Sequence, residues 1–148
     1  MTVRNILLFL HIAAAITIIG GLVFMDMVVP GMVRAGREYL PALRRLHGLG
    51  KIFGPSAAIV FLLGIALVLK NKWDFSHTWI GVSMVLFIIA AVIGAVPMAK
   101  TVETAISKID DGHPADAEAS RIGMLGGINI LILLTIVYMM VAKPGGVG

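Results

Sequence analysis

The sequence predicts an all-α fold, an integral membrane bundle of four up-and-down transmembrane helices. Two observations carry this. Hydrophobic residues make up 59% of the 148 positions against 14% charged, and the charges are gathered between apolar runs long enough to cross a bilayer, which takes about 20 helical residues for the roughly 30 Å hydrocarbon core. Backbone polar groups in lipid are satisfied within one segment only by a helix, so each run reads as helical. A water-soluble single domain and intrinsic disorder are excluded by this composition. Zinc fingers, disulfide frameworks and thiol catalysis are excluded because the chain has no cysteine. The net charge of +4 comes mostly from basic residues that flank apolar runs and act as anchors, so no nucleic-acid partner is expected.

The first span is expected over residues 5–30, interrupted by His11 and Asp26 and ended by Pro30 and Gly31. It is too long for a signal peptide, and Ala13, Ala14 and Ala15 lie inside the run rather than after it, so it reads as an uncleaved span. Leu40, Leu43, Leu46 and Phe53 then recur at helical spacing with Arg44 and Arg45 opposite. That pattern predicts a basic amphipathic segment over 38–50, lying against anionic headgroups before it turns into a second span over 52–70, where Pro55 can kink the helix. The third span is expected over 78–100. Its helix continues from Lys100 to Ile109 until Asp110, Asp111 and Gly112 stop it, and Pro114 restarts a helix whose Asp116 and Glu118 suit the positive end of the dipole. A protruding hairpin over 101–119 therefore leads to the fourth span, 120–142. Gly145, Gly146 and Gly148 form a short flexible tail, and the whole chain is one membrane domain.

Arg34, Arg37, Arg44, Arg45, Lys51, Lys100, Lys108 and Arg121 lie in the first and third connections, against Arg4, Lys70, Lys72 and Lys143 elsewhere. The positive-inside bias places those two connections in the cytoplasm and both termini outside. Stripes of small residues, Ala119/Gly123/Gly127, Gly50/Gly54/Ala58 and Ala13/Thr17/Gly21, mark close helix contacts, which either close one bundle or join copies or a larger membrane complex.

Candidate chemistry rests on few residues. His11 follows Arg4 by seven residues, placing it about 10 Å inside the outer edge. A buried neutral imidazole can give one lone pair to iron or copper while its other nitrogen donates to a carbonyl or hydroxyl; the alternative is an interhelical hydrogen bond. Thr135 and Tyr138 match its depth. His77 enters at the outer start of span three between Trp73 and Trp79, either as a second ligand drawn inward or as a member of an interfacial belt. Asp26, about 22 Å along the helix from His11, belongs to the inner end and is expected to pair with Lys51, Arg34 or a backbone donor. Asn129 is expected to make an interhelical hydrogen bond, and His47 and His113 to be solvated in the connections. The nine methionines could serve Cu(I) as soft ligands, but Met25 and Met27 flank Asp26 on different faces and Met139 and Met140 are adjacent. No phosphate loop, nucleophile elbow or metalloprotease histidine pair is present.

Leu10-His11-Ile12-Ala13-Ala14-Ala15 with Gly20-Gly21-Leu22-Val23-Phe24, and Leu43-Arg44-Arg45-Leu46 before span two, resemble small bacterial four-helix membrane proteins related to the copper-resistance protein D membrane domain. That group includes an uncharacterised family of predicted integral membrane proteins, and its architecture resembles the haem-carrying four-helix protoporphyrinogen oxidase. The resemblance implies a location in the bacterial inner membrane and metal or redox work at the outer side. It makes His11 the counterpart of the first-helix histidine of the haem-carrying relatives and so a candidate ligand for haem b; His77, at the edge of span three rather than deep within it, is the candidate second ligand by position and departs from the family pattern. Copper or small-solute transport and a non-catalytic accessory subunit are the other two roles compatible with these residues.

Overall fold

The computed structural model describes residues 2–144, and all their regular structure is helical. The tail expected at Gly145, Gly146 and Gly148 lies outside the described residues. Three helical runs are long and apolar enough to cross a membrane: Val3–Lys70, Thr78–Asp110 and Asp116–Ala142. The first folds back on itself at Gly36, whose φ of 75° belongs to the region glycine enters without a Cβ penalty. Four long helices result, labelled α1 (3–35), α2 (Leu40–Lys70), α3 (Thr78–Asp110) and α4 (Asp116–Ala142). They form a ring in which helices adjacent in sequence pack on one another and α1 closes against α4.

α1 does not end at Pro30 and Gly31 as the sequence suggests, but runs on to Ala35. A proline inside a helix forfeits one backbone hydrogen bond. Here Pro30 is buried and faces Gly123 on α4, where even an added Cβ would stand in ordinary van der Waals contact with its ring, so packing holds the helix through the defect. Residues 40–50 likewise make no separate surface element. They are the first turns of a continuous 31-residue α2 that also runs through Pro55. The apolar face read there is turned inward: Leu40 and Leu43 are buried with Val33, Ala105 and Ile109, and Leu46 packs beside them. Neighbouring helices, rather than headgroups, supply the apolar cover.

α3 has 33 residues, about 50 Å of helix, so one end stands well clear of a bilayer core. It stops in a Schellman motif, with His113 N–H on the Lys108 carbonyl at 2.8 Å and Gly112 N–H on that of Ile109, Gly112 taking φ 82°. Two ion pairs tie this end together, Arg44 to Asp110 at 2.8 Å and Lys108 to Glu118 at 2.6 Å. The Lys108 ammonium, donating to the Glu118 carboxylate, holds that group below its ordinary pKa.

The small-residue stripes divide. Gly126, not Gly127, faces α1: a Cβ on it would lie 3.0 Å from the Asp26 carbonyl oxygen, whereas one on Gly127 would meet nothing within 4 Å. A Cβ on Gly21 would press on the Phe53 ring at 3.3 Å, while one on Gly50 or Gly54 would meet nothing within 4 Å. Packing falls into three layers: Val68, Trp79 and Ile80 near residues 2 and 144, Ala90, Leu133 and Ile136 midway, and the large Leu43–Ile122 cluster at the far end.

Candidate functional site

His11 lies on the inward face of α1 and is 9% exposed. Its Nδ1 is 3.0 Å from the Val60 carbonyl oxygen on α2. A carbonyl can only accept, so Nδ1 carries the proton, and the neutral ring keeps its lone pair on Nε2. One turn further along α2, Gly64 makes room for the ring: a Cβ there would lie 3.3 Å from His11 Cε1. Val60 and Gly64 thus hold the imidazole, one by a hydrogen bond and the other by having no side chain. Beyond His11 the helix loosens into a π turn, Ala15–Ile19, with Ala15 N–H on the carbonyls of His11 and Ile12. Such turns insert one extra residue and recur at functional sites.

His11, Ala15, Ile19 and Gly64 line a cavity of about 400 Å³ with walls from all four helices, at the end of the bundle that carries residues 2 and 144. Its aromatic side includes Phe61 and Phe87, stacked with centroids 5.3 Å apart. Ser83, 5% exposed, also lines it, and its Oγ has no hydrogen-bond partner in the protein. A hydroxyl in a transmembrane helix commonly bonds back to its own helix, as Thr101 and Thr135 do here. Ser83 therefore presents an unsatisfied polar atom in an otherwise apolar wall.

The rim is cationic and aromatic. Arg4 and Lys143 both line the cavity, and no Asp or Glu does among the described residues. Trp73 and Trp79 meet edge to face at 5.3 Å, and Lys143 Nζ rests 5.0 Å and 5.8 Å from their ring centroids. The connection beneath them is ordered by Asp74, whose Oδ1 accepts from Ser76 N–H at 2.9 Å, a bond that lowers the Asp74 pKa.

The other residues singled out in the sequence are scattered. His77 is half-buried at the start of α3, where its carbonyl takes the N–H groups of Ile80 and Gly81, and it is not in the cavity wall among the described residues. Thr135 and Tyr138 share His11's depth but face away: Thr135 back-bonds to Leu131, and Tyr138 is 65% exposed. Ile136, Val137 and Met140 line the cavity instead. Asp26 pairs with neither Lys51 nor Arg34. Its Oδ2 accepts from Asn129 Nδ2 at 2.9 Å, which is the interhelical bond expected of Asn129. His47 is not solvated: it follows Leu43 by one turn on the inward face, half-buried, and its Nε2 is enclosed without a partner. His113 is exposed beside Arg34 and Arg37. Met25 packs against the far-end core while Met27 is 69% exposed, so the two thioethers around Asp26 do not converge.

Val60, Gly64, Ser83 and the Arg4–Lys143 rim are the parts of the site that sequence reading missed. Only Gly64 left a signal there, as a lone glycine in an apolar span where alanine or leucine would serve a helix better.

No curated protein and no solved structure matches the chain. A family model described as "Predicted integral membrane protein (DUF2269)" matches residues 5–144, a stretch that takes in the four helices but for the first two residues of α1, and the whole cavity wall except Arg4. The chain belongs to this family of integral membrane proteins.

Proposed function

We propose that this protein spans the membrane four times and binds haem b in the cavity, with His11 as an axial ligand. One observation carries the reading: His11 is buried at the cavity wall with Nδ1–H committed to the Val60 carbonyl, which leaves the Nε2 lone pair to serve as a ligand. The donor set favours a group that brings its own equatorial ligands. Among the described residues no three His, Cys, Asp or Glu side chains gather as a metal site, so a bare ion would find one imidazole where a porphyrin needs only axial help. Phe61 and Phe87 offer flat apolar surface, and Ser83 a polar atom without a partner.

When bound, haem supplies a one-electron iron couple. The Val60 carbonyl fixes the His11 tautomer and raises the basicity of Nε2, and the apolar wall excludes water from the group. His77, expected as the second ligand, caps α3 outside the wall, so ligation by it needs the 71–77 connection to move; Met84 and Met140 are thioethers already in the wall. With both termini outside, the cavity opens toward the outer surface of the bacterial inner membrane.

The test is an absorbance spectrum, oxidised and dithionite-reduced, of protein purified from haem-replete cells. A Soret band that His11→Ala removes is the expected result; a colourless wild type sinks the proposal. The colourless outcome favours the second reading, an accessory subunit of a larger membrane complex or homo-oligomer. The open face of Gly50, Gly54 and Ala58 on α2 supports that alternative.

A further inference from the structure

We propose that Arg4 and Lys143 form an anion clamp at the cavity mouth, which takes the carboxylates of the bound tetrapyrrole and sets its orientation. The inference rests on the haem reading for the ligand's shape and goes beyond it in assigning how the acids are held.

Three observations converge on the clamp. The cavity is apolar along its length but ends in two cations, with no Asp or Glu in its wall among the described residues. That asymmetry selects an occupant with an apolar body and acidic ends. Both ion pairs found among the described residues lie at the opposite end of the bundle and leave these two cations out. Lys143 ends α4 in the left-handed region, at φ 43° and ψ 52°, which turns the chain out of the helix direction. There its N–H closes on the Met139 carbonyl, and its ammonium lies over the faces of Trp73 and Trp79. The helix end thereby carries its exposed cation back over the Trp73–Trp79 pair at the cavity mouth.

The spacing along α1 agrees. Arg4 precedes His11 by seven residues, about 10 Å of helix, comparable with the reach from the centre of a tetrapyrrole to its propionates. A ring ligated at His11 would have Arg4 within reach of its acids, with Lys143 of α4 in the same cavity wall. Both side chains are exposed at the cavity mouth, so each charge-assisted bond there contributes modestly, on the order of a few fold in affinity.

The clamp is separable from iron ligation by using metal-free protoporphyrin IX, which keeps both acids and cannot bond to His11 through a metal. Its affinity for the purified full-length protein in zwitterionic nanodiscs is read by fluorescence, beside that of its dimethyl ester. The wild type is expected to prefer the diacid by about tenfold, and Arg4→Gln and Lys143→Gln each to reduce that preference by about threefold. The double variant binds acid and ester alike, and its unchanged ester affinity shows that the cavity is intact. His11→Ala retains the preference. Equal affinity of the wild type for acid and ester overturns the clamp, as does a preference that survives in the double variant or a wild type that binds neither compound. If His11→Ala leaves the Soret spectrum of added haem unchanged, the ligation proposal fails while the clamp stands on the ester comparison.

Discussion

Gly64→Ala isolates the seat of His11 from the stability of the bundle. The added Cβ would lie 3.3 Å from His11 Cε1 and 3.8 Å from Nδ1, so the ring must yield by a few tenths of an ångström. It cannot do so freely, because Nδ1 is already 3.0 Å from the Val60 carbonyl. Stretching that bond forfeits up to its net worth of about 1 kcal/mol, roughly a fivefold loss in affinity for a ligand that depends on the direction of Nε2. The helix itself gains, since alanine exceeds glycine in helix propensity by about 1 kcal/mol in soluble hosts. The two effects oppose one another in stability and not in binding. Thermal unfolding in detergent should therefore shift little, while haem titration followed at the Soret band weakens about fivefold; Gly64→Val, with a branched side chain against the ring, should abolish binding. Wild-type affinity and an unchanged Soret maximum in Gly64→Val would refute the geometry.

The contact of α1 with α4 gives a second prediction. A Cβ on Gly126 would meet the Asp26 backbone oxygen at 3.0 Å and Asp26 Cβ at 3.1 Å, atoms that move only with their helix. Gly126→Ala should cost about 1–3 kcal/mol in a detergent unfolding titration, and Gly123→Ala, with Pro30 at 3.8 Å, should be close to neutral; equal effects would contradict the packing. The Lys108–Glu118 pair predicts an acid dependence. The folded-state pKa of Glu118 is depressed, so its contribution is present above the ordinary carboxylate value and is lost as pH falls through the lower folded one. Melting curves between pH 6 and pH 3 should therefore fall less steeply for Lys108→Ala than for wild type, and parallel curves would remove the pair from the account.

What sequence reading recovered, and what it did not, follows from the kind of interaction involved. The apolar runs and the stop at Asp110–Gly112 were legible because hydrocarbon compels helices and because the Schellman turn needs a residue tolerant of positive φ. Pro30 misled because a proline's effect on a helix depends on whether a neighbour covers it, and Gly123 lies far away in the chain. The segment from Leu40 to Leu46 showed its apolar face correctly but not what that face meets, since headgroups and a helix core ask for the same pattern. His11 was identifiable as an ionisable group within a span. Its partner was not, because a backbone carbonyl leaves no mark in sequence and Val60 is 49 residues away.

The two ends of the bundle divide labour for reasons found in the same residues. At the far end, Pro30 and Gly123, and Asp26 and Gly126, let the backbones of α1 and α4 approach closely, and the Leu43–Ile122 cluster fills the remaining space. Asp26 is tolerated there because Asn129 donates to it, so the interhelical polar bond reinforces a contact that small residues already permit. At the other end His11, Gly64 and the unsatisfied hydroxyl of Ser83 wall the cavity, and the core cluster beside it, Val68, Trp79 and Ile80, is much smaller; a second π turn, Gly94–Met98, and the enclosed His47 Nε2 lie toward the far end, so neither kind of feature is peculiar to the cavity. A bundle fixed by close packing at one end can keep a cavity open at the other without losing its register. On this reasoning, substitutions along the Gly123–Gly126 face act on folding, and substitutions around His11 act on what the cavity holds.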